Sequence, residues 1–600
     1  MSQRKKSNVA RKQASSTRSR RGRSEQAQKP REPGHRAQVS GLMLQSYEIG
    51  AMPLINRILE RIRLPQFFET YLPPDDVRCE FPTSKALLVL VQNVLISREP
   101  VYAVAEWAAR FAPDLFDLRP QQVSLLHDDR LGRCLTKLFA GTGPELILAV
   151  VRHVIAEFQI SLDELHNDST TVTFFGAYQE ASEEGHRLGR ATHAITWGHN
   201  KDHRPDLKQL LYTLTVSHDG GVPVYFTSHS GNVVDDKTHC ATWDLLCQLV
   251  GGPDFLYVAD CKLASRENLR YIARTGRFVT VMPRTHGEDK TFRKRLRQSP
   301  QAIRWEPLYE VTDEQGQVTD RLFVCADESL SSDGYRLLWY RSTRKAELDQ
   351  TTRARRVQRA LAALTELRER LLSPRTRFRE RGKVQQTVDD LLTHYEVESL
   401  VRVSIEERED VKYRQAQPGR PSEHTKYKKE TRPRYHLTWE LDVAAFADAE
   451  REDGIFPLLT NDRQLTAEEV LRAYKRQPII EKRFSQLKTD FHVAPVYLKD
   501  VGRIQGLLAI YFFVLLVQTL LERELRHAMA RKGMASLPLY PEGRPCSRPT
   551  TARVIEVFEP IQRHSLIVGD NEPQFLVTEL TALQREIITL LGLSPADYGR

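Results

Sequence analysis

From residue 41 to 160, apolar side chains recur at intervals of three and four, as in LINRILERIRLPQFFETYL, SKALLVLVQNVLI and PELILAVVRHVIAEF. This spacing predicts a helical N-terminal domain over residues 41–160. The period then shortens. Leu162–Asp168 reads as a strand, and Leu210–Ser217 (LLYTLTVS) alternates apolar and polar. Val222–Ser228 (VPVYFTS) follows across His218-Asp219-Gly220-Gly221, a turn composition that joins two such runs into a hairpin. Next come a helix over Thr238–Val250, a short strand Phe255–Asp260 (FLYVAD), a helix ENLRYIART capped by Ser265, and a buried strand Arg277–Met282 closed by Pro283. The predicted order is a hairpin meander followed by β-α-β.

From about 286 to 459 the pattern breaks, and this block reads as an insertion. Arg341–Leu372 is a long charged helix with an apolar stripe at Val357, Leu361, Leu364 and Leu371. Leu400–Ile405 and Tyr435–Leu441 read as strands, with Gln415–Arg434, rich in Pro and Lys/Arg, as a loop between them. Past 460 a helical register returns through 474–488 and 504–526. Within it, Leu507–Val517 is apolar all round but only 11 residues long. Spanning a bilayer takes roughly 20, so this run predicts a buried core helix and no membrane association. Residues 531–600 open in a Pro-rich loop and close on the amphipathic TELTALQREIITLLGL.

Charge changes the picture at the N-terminus. The chain carries a formal +10, and residues 1–36 hold 12 Lys/Arg against Glu25 and Glu32, so the remainder is neutral. The segment 1–40 is too poor in large apolar residues to fold alone and has no apolar stretch of a secretory signal. It reads as a disordered tail, either a nonspecific DNA-binding arm or a solubilising one. The seven cysteines form no C-x-x-C pair, which fits a reducing compartment without a disulfide framework or zinc knuckle. His239, Cys240 and Cys247 read as one helix face.

The candidate chemistry lies in carboxylates. Phosphodiester cleavage and transfer needs an activated nucleophile and a stabilised leaving oxygen, which two divalent ions supply. Magnesium-type ions need hard oxygen ligands converging from several elements. Asp168 and Asp260 each close a predicted strand, and Glu481 lies on a later helix. Around it the sequence reads Tyr474-x2-Gln477-x3-Glu481-x6-Lys488. Seven residues are about two helical turns, so Glu481 and Lys488 share a face beside Ile480, Phe484 and Leu487. Pro478 begins or kinks that helix, with Tyr474 ahead of it.

Taken together, these segments resemble the DDE-type transposases of bacterial insertion sequences, in the branch with a Y-x2-R-x3-E-x6-K signature. The matching pieces are HNDST around Asp168, GHNKDHRPDLKQL at 198–210, SGNVVDDKTH at 230–239, YVADCKLAS around Asp260, FVTVMPRT at 278–285 and the 474–488 motif followed by PVYLKDVGRIQGLLAIYFF. The resemblance covers most of 120–530. It implies that Asp168, Asp260 and Glu481 are the catalytic, metal-binding triad, and that Tyr474 and Lys488 contact strand phosphates. Gln477 stands where the family has arginine and is counted in its place among the candidate DNA contacts, with Arg476 or Arg483 as substitutes for that contact. Within GHNKDHRPDLKQL, Lys201, His203 and Arg204 are candidate DNA contacts and Asp202 and Asp206 rival carboxylates; the equal alternative is a surface loop fixed by Pro205. Tyr427, Lys428, Lys429, Arg432, Arg434 and Tyr435 suit phosphates and stacking on unpaired bases. Trp305, Trp339 and Trp439 are either core or base-stacking residues.

The expected fold is α/β, an RNase H-like mixed-sheet catalytic core (161–285 plus 460–530). A largely β insertion (286–459) interrupts it, after a DNA-binding helical N-terminal domain (41–160) and before a helical C-terminal segment (531–600). The expected function is metal-dependent strand cleavage and transfer at the ends of an insertion sequence, with Mg2+ as cofactor and Mn2+ able to substitute. The expected partners are inverted-repeat and target DNA, with a homodimer on DNA in a bacterial cytoplasm, at the nucleoid. The alternatives are an RNase H-like nuclease without strand transfer and a non-catalytic DNA-binding protein.

Overall fold

The computed structural model describes residues 36–39, 42–141, 143–179, 181–182, 185–313, 315–490, 498–568 and 574–599. The basic tail at 1–35 lies outside them. The chain divides into two compact units, one made of Met1–Glu60, Asp75–Cys134 and Leu521–Arg600, the other of Arg61–Pro74 and Leu135–Leu520. The predicted helical stretch 41–160 is thus shared between the two.

The larger unit is built on a ten-stranded mixed sheet. Its strands are β1 (Glu164–Phe174), β2 (Lys208–Ser217), β3 (Pro223–Ser230), β4 (Leu256–Ala259), β5 (Arg277–Val281), β6 (Trp305–Thr312), β7 (Val318–Cys325), β8 (Arg336–Ser342) and β11 (Ile455–Thr460), with the short Ser329–Leu330 beside β8. The order across the sheet is β6-β7-β8-β11-β5-β4-β1-β2-β3. Strands β1, β4 and β5 run parallel, and every other neighbour is antiparallel. The crossover from β3 to β4 carries helix α1 (His239–Val250), and that from β4 to β5 carries α2 (Arg266–Ile272), capped by Ser265 accepting the Asn268 N–H. Such crossovers are what parallel neighbours require.

The β2–β3 hairpin forms across Gly220 and Gly221, both at positive φ (77° and 66°), which side chains other than glycine's resist. Two further glycines hold the segment ahead of β2 against the sheet. A Cβ on Gly198 would lie 1.9 Å from the Gly231 carbonyl oxygen, and one on Gly231 would lie 2.1 Å from that of Gln209. Strand β1 departs from the sequence expectation. It runs to Phe174, six residues past Asp168, because the β-branched run Thr170–Thr173 continues pairing with β2.

The block 286–459 is mixed rather than largely β. It supplies β6–β8 to the large sheet and carries α3 (Thr343–Leu372), α4 (Arg381–His394) and a separate two-stranded ribbon of β9 (Val401–Gln415) and β10 (Tyr427–Leu441). Val357, Leu364, Leu371 and Val388 pack with Val401, Ile405, Tyr435 and Leu437 at the ribbon's base. The predicted loop 415–434 shrinks accordingly, since Tyr427–Arg434 pair with Arg408–Gln415. Antiparallel backbone bonds carry this stretch without an apolar pattern, and Pro433 is tolerated because both strands are edges.

Helices α5 (Ala467–Lys475) and α6 (Pro478–Ser485) follow β11, and α7 (Val501–Arg531) comes later. By length and composition α7 could cross a membrane, but its most apolar 18-residue window is 89% buried within the protein. Phe512 stacks on Phe226 at 4.9 Å between centroids, and Phe513 meets Phe68 edge-on.

In the smaller unit, the expected helices are joined by a strand, Leu42–Glu48. The C-terminal segment is not wholly helical. Gln562–Val568 pairs with Leu42–Glu48 and with Gln574–Val577, so the two ends of the chain share a four-stranded sheet.

Candidate active site

Parallel pairing between β1 and β4 ends at Asn167↔Ala259, so Asp168 and Asp260 are the next residues on adjacent strands. Asp260 caps the 3-10 turn Cys261–Ala264, accepting the Lys262 N–H at 3.0 Å. Asp168 accepts the Ser169 N–H at 2.7 Å. Burial pushes the Asp168 carboxyl up from 3.8 to about 6; Lys201 opposes this and the charges of Asp260 and Asp235 add to it. Asp260 is raised too, by burial first and then by Asp235, against the Lys262 N–H and Lys201.

Lys201 is the cation of this cluster. Its ammonium lies 2.8 Å from Asp235 and 3.6 Å from Asp168, and donates to the carbonyl and hydroxyl oxygens of Ser169. Burial disfavours its charge, but Asp168 and Asp235 outweigh that and raise its pKa. Lys201, expected to touch DNA, is thus turned into the carboxylates. Asp235 is the residue that the sequence reading passed over. It sits in SGNVVDDKTH on the turn before α1, where an acid has an ordinary capping explanation. Only the fold brings it to Lys201.

Tyr474 ends α5 half-buried. Its phenol is raised by burial first, then by the charges of Asp260, Cys261, Glu481 and Asp168, which places it within electrostatic reach of all three predicted acids. Glu481 is exposed on the first turn of α6, whose N1 residue is Pro478, as expected. The three acids do not form one tight cluster. Among the described residues, the one group of three or more His, Cys, Asp or Glu with ligand atoms all within 4.8 Å is His127, Asp128 and Asp129, exposed in the smaller unit.

Past Ser485 the helix becomes a π-helical turn, Gln486–Asp490, so Lys488 leaves the straight α-helical stripe predicted for Glu481. Its ammonium lies 2.6 Å from Asp202, tying the motif to the GHNKDHRPD loop. In that loop His203 is exposed at φ 56°, and Arg204 is exposed and paired with Asp206 through two bonds.

Gln477 faces inward, so the structure corrects its assignment as a DNA contact. Its amide oxygen lies 2.8 Å from His166 Nδ1, and its amide nitrogen donates to the Asn167 carbonyl oxygen at 3.1 Å. Neither suggested substitute is available as a phosphate contact. Arg476 grips Glu164 through two hydrogen bonds. Burial pushes Glu164 up, but the bonds from His166 and Arg476 prevail and hold it at about 2. Arg483 is 1% exposed and donates to the carbonyls of Gly220 and Gly221 and to the Gln486 side chain. Trp339 is core, stacked on Phe292 at 3.8 Å.

The donor set fits a hard divalent cation. It offers carboxylate oxygens side by side where the parallel ladder of β1 and β4 stops, and the Lys201 ammonium already marks where these acids hold positive charge. The raised Asp168 pKa has a measurable consequence in metal-free protein. Folded Asp168 keeps its proton to about pH 6, while the unfolded residue loses it near 3.8. The native state therefore binds more protons in this window, and its contribution to stability falls as pH rises through it, by about 3 kcal/mol in total. Asp168→Asn is expected to flatten this decline in denaturant titrations between those pH values. An unchanged slope would contradict the assignment.

A family model described as a domain of unknown function (DUF4277) matches residues 44–152. No curated protein matches the chain. Six chains of solved structures match, among them a cryo-EM structure of the piggyBac transposase synaptic complex with hairpin DNA. That likeness is 9% identical, covers 85% of this chain and 79% of that one, and has a TM-score of 0.30. At that score it carries no argument about activity, and the chemistry stands on this chain's own residues.

Proposed function

We propose that this chain is a DNA transposase that cuts the ends of an insertion sequence and joins them to target DNA, with Asp168, Asp260 and Glu481 as its catalytic carboxylates. The observation that carries this reading is the placement of Asp168 and Asp260 side by side, where the parallel ladder of β1 and β4 ends. The order β3-β2-β1-β4-β5 with β2 reversed supports reading this part of the sheet as an RNase H-like core, in which such an edge would be the seat for phosphodiester chemistry.

Asp168 and Asp260 would hold magnesium, or manganese in its place, and Glu481 would complete the set from α6. When bound, the metal makes water a stronger acid and stabilises a departing oxygen. The chain's own residues do the rest. Lys201 bridges Asp168 and Asp235 and so orients the carboxylates. Tyr474, with its proton firmly held, offers a hydroxyl beside them to a strand phosphate. Lys488 adds positive charge beside the GHNKDHRPD loop. Two element ends must be held at once, so the active form on DNA is at least a dimer.

The deciding experiment offers purified protein a pre-cut end with a free 3′ hydroxyl and a second duplex, with magnesium. Covalent joining is the expected result. No joining here, with magnesium-dependent cleavage of an intact duplex in a parallel reaction, would replace this reading with that of a nuclease.

A further inference from the structure

The ribbon of β9 and β10 has two halves of different character. The basal half packs on α3 and α4 through Val401, Ile405, Tyr435 and Leu437. The distal half packs on neither of these helices. Val411, Tyr413 and Tyr427 are exposed there, Tyr413 at 66% and Tyr427 at 53%. Between residues 411 and 432 the chain has seven Lys/Arg and two acids. Lys412, Lys426, Lys428 and Lys429 are exposed and have no acidic partner among the described residues.

The pairing register sorts these side chains by face. Lys412 pairs with Glu430 and Arg414 with Lys428 on one face; Tyr413 pairs with Lys429 and Gln415 with Tyr427 on the other. Opposite residues in an antiparallel ladder share a face. One face therefore presents two tyrosines around a lysine, and the other a mostly basic stripe. At about 3.3 Å per residue the distal strands reach roughly 30 Å beyond the packed base.

The geometry points to the distal ribbon as an arm that enters the major groove of duplex DNA, the face of Tyr413, Tyr427 and Lys429 toward the groove floor and the long side chains of the opposite, basic face reaching past the strand edges to the flanking phosphates. A major groove about 12 Å wide admits a two-stranded ribbon. Four unpaired lysines at a protruding tip complement a polyanion. Lysines also guard open strand edges against aggregation, but that role does not call for two exposed tyrosines on one face. The inference takes its choice of DNA from the proposed function and adds where, and by which groove, the duplex is held.

The test uses the full chain in metal-free buffer, so that no cleavage intervenes, and a mixed-sequence duplex several helical turns long. Affinity is read by fluorescence anisotropy across a salt series for wild type, for Lys412→Ala/Lys428→Ala/Lys429→Ala and for Tyr413→Ala/Tyr427→Ala. The lysine variant is expected to bind at least about tenfold more weakly, with a salt slope shallower by about 2 to 3, one step per lost phosphate contact. The tyrosine variant is expected to lose protection of guanine N7, a major-groove atom, from dimethyl sulfate. Wild-type affinity and salt slope retained in full by the lysine variant would overturn the arm alone. Loss confined to a single-stranded probe would also overturn it. Wild type that does not bind the duplex at all would sink the arm and the proposed function together. Unchanged thermal transitions are expected for both variants, since every substituted side chain is exposed.

Discussion

Asp168→Ala, Asp260→Ala and Glu481→Ala are each expected to lower magnesium-dependent strand cleavage by at least about a thousandfold, the loss of about 4 kcal/mol of transition-state stabilisation. Duplex affinity should largely survive, because carboxylates repel phosphates and the binding charge lies elsewhere. Glu481 gives the sharpest arm of this comparison. Its side chain is exposed, so its loss should leave the thermal transition in place, and a fall in cleavage cannot be ascribed to unfolding. Asp235→Asn provides the graded control. Asp235 acts on Asp168 through Lys201, so its removal should cost about 10–100-fold, as for residues that orient metal ligands. Cleavage that persists in any of the three alanine variants, measured on a labelled substrate with magnesium, would remove that residue from the site.

Arg483→Ala is expected to destabilise the larger unit by about 3 kcal/mol or more, read as a lower denaturant midpoint. The guanidinium is buried and donates to both glycine carbonyls of the β2–β3 turn and to Gln486. Removing it strands buried acceptors, each costing about 1–3 kcal/mol, and opens a cavity between α6 and the hairpin. Lysine should rescue little, because a single ammonium cannot reproduce the fork that spans two carbonyls and an amide. The salt dependence of duplex binding should stay as in wild type. A variant of normal stability whose salt slope fell by about one would show instead that Arg483 reaches a phosphate.

The legibility of this site in the sequence divides along a physical line. Asp260 could be read because FLYVAD is a short apolar run that stops at an acid, and the strand does end at Ala259. Asp168 was legible as an acid on a strand but not as one in mid-strand, since the polar Ser169–Thr171 hides continued pairing with β2. Pro478 announced the start of α6. The π-helical turn at Gln486–Asp490 has no such marker, so the spacing of Glu481 and Lys488 by itself predicts straight helix. Gln477, Arg476 and Arg483 were read as groups facing the strand because charged and amide side chains near a catalytic acid invite that reading. Their partners, His166, Glu164 and Gly220, lie hundreds of residues away, and no local pattern encodes them. Asp235 was missed for the same reason. The ribbon was half legible, its base through apolar alternation and its tip not at all, because backbone pairing alone sustains it.

The close approach of Gly198 and Gly231 bears on how this protein can change. In both cases the atom blocking a Cβ is a backbone carbonyl oxygen, of Gly231 and of Gln209. A clash with a side chain can be relieved by a second substitution that shrinks the neighbour; a clash with the main chain cannot. These two positions therefore have no intragenic suppressors of that kind. They lie in the very segments that carry Lys201 and Asp235, so a side chain at either position would shift the main chain on which the charge balance around Asp168 rests.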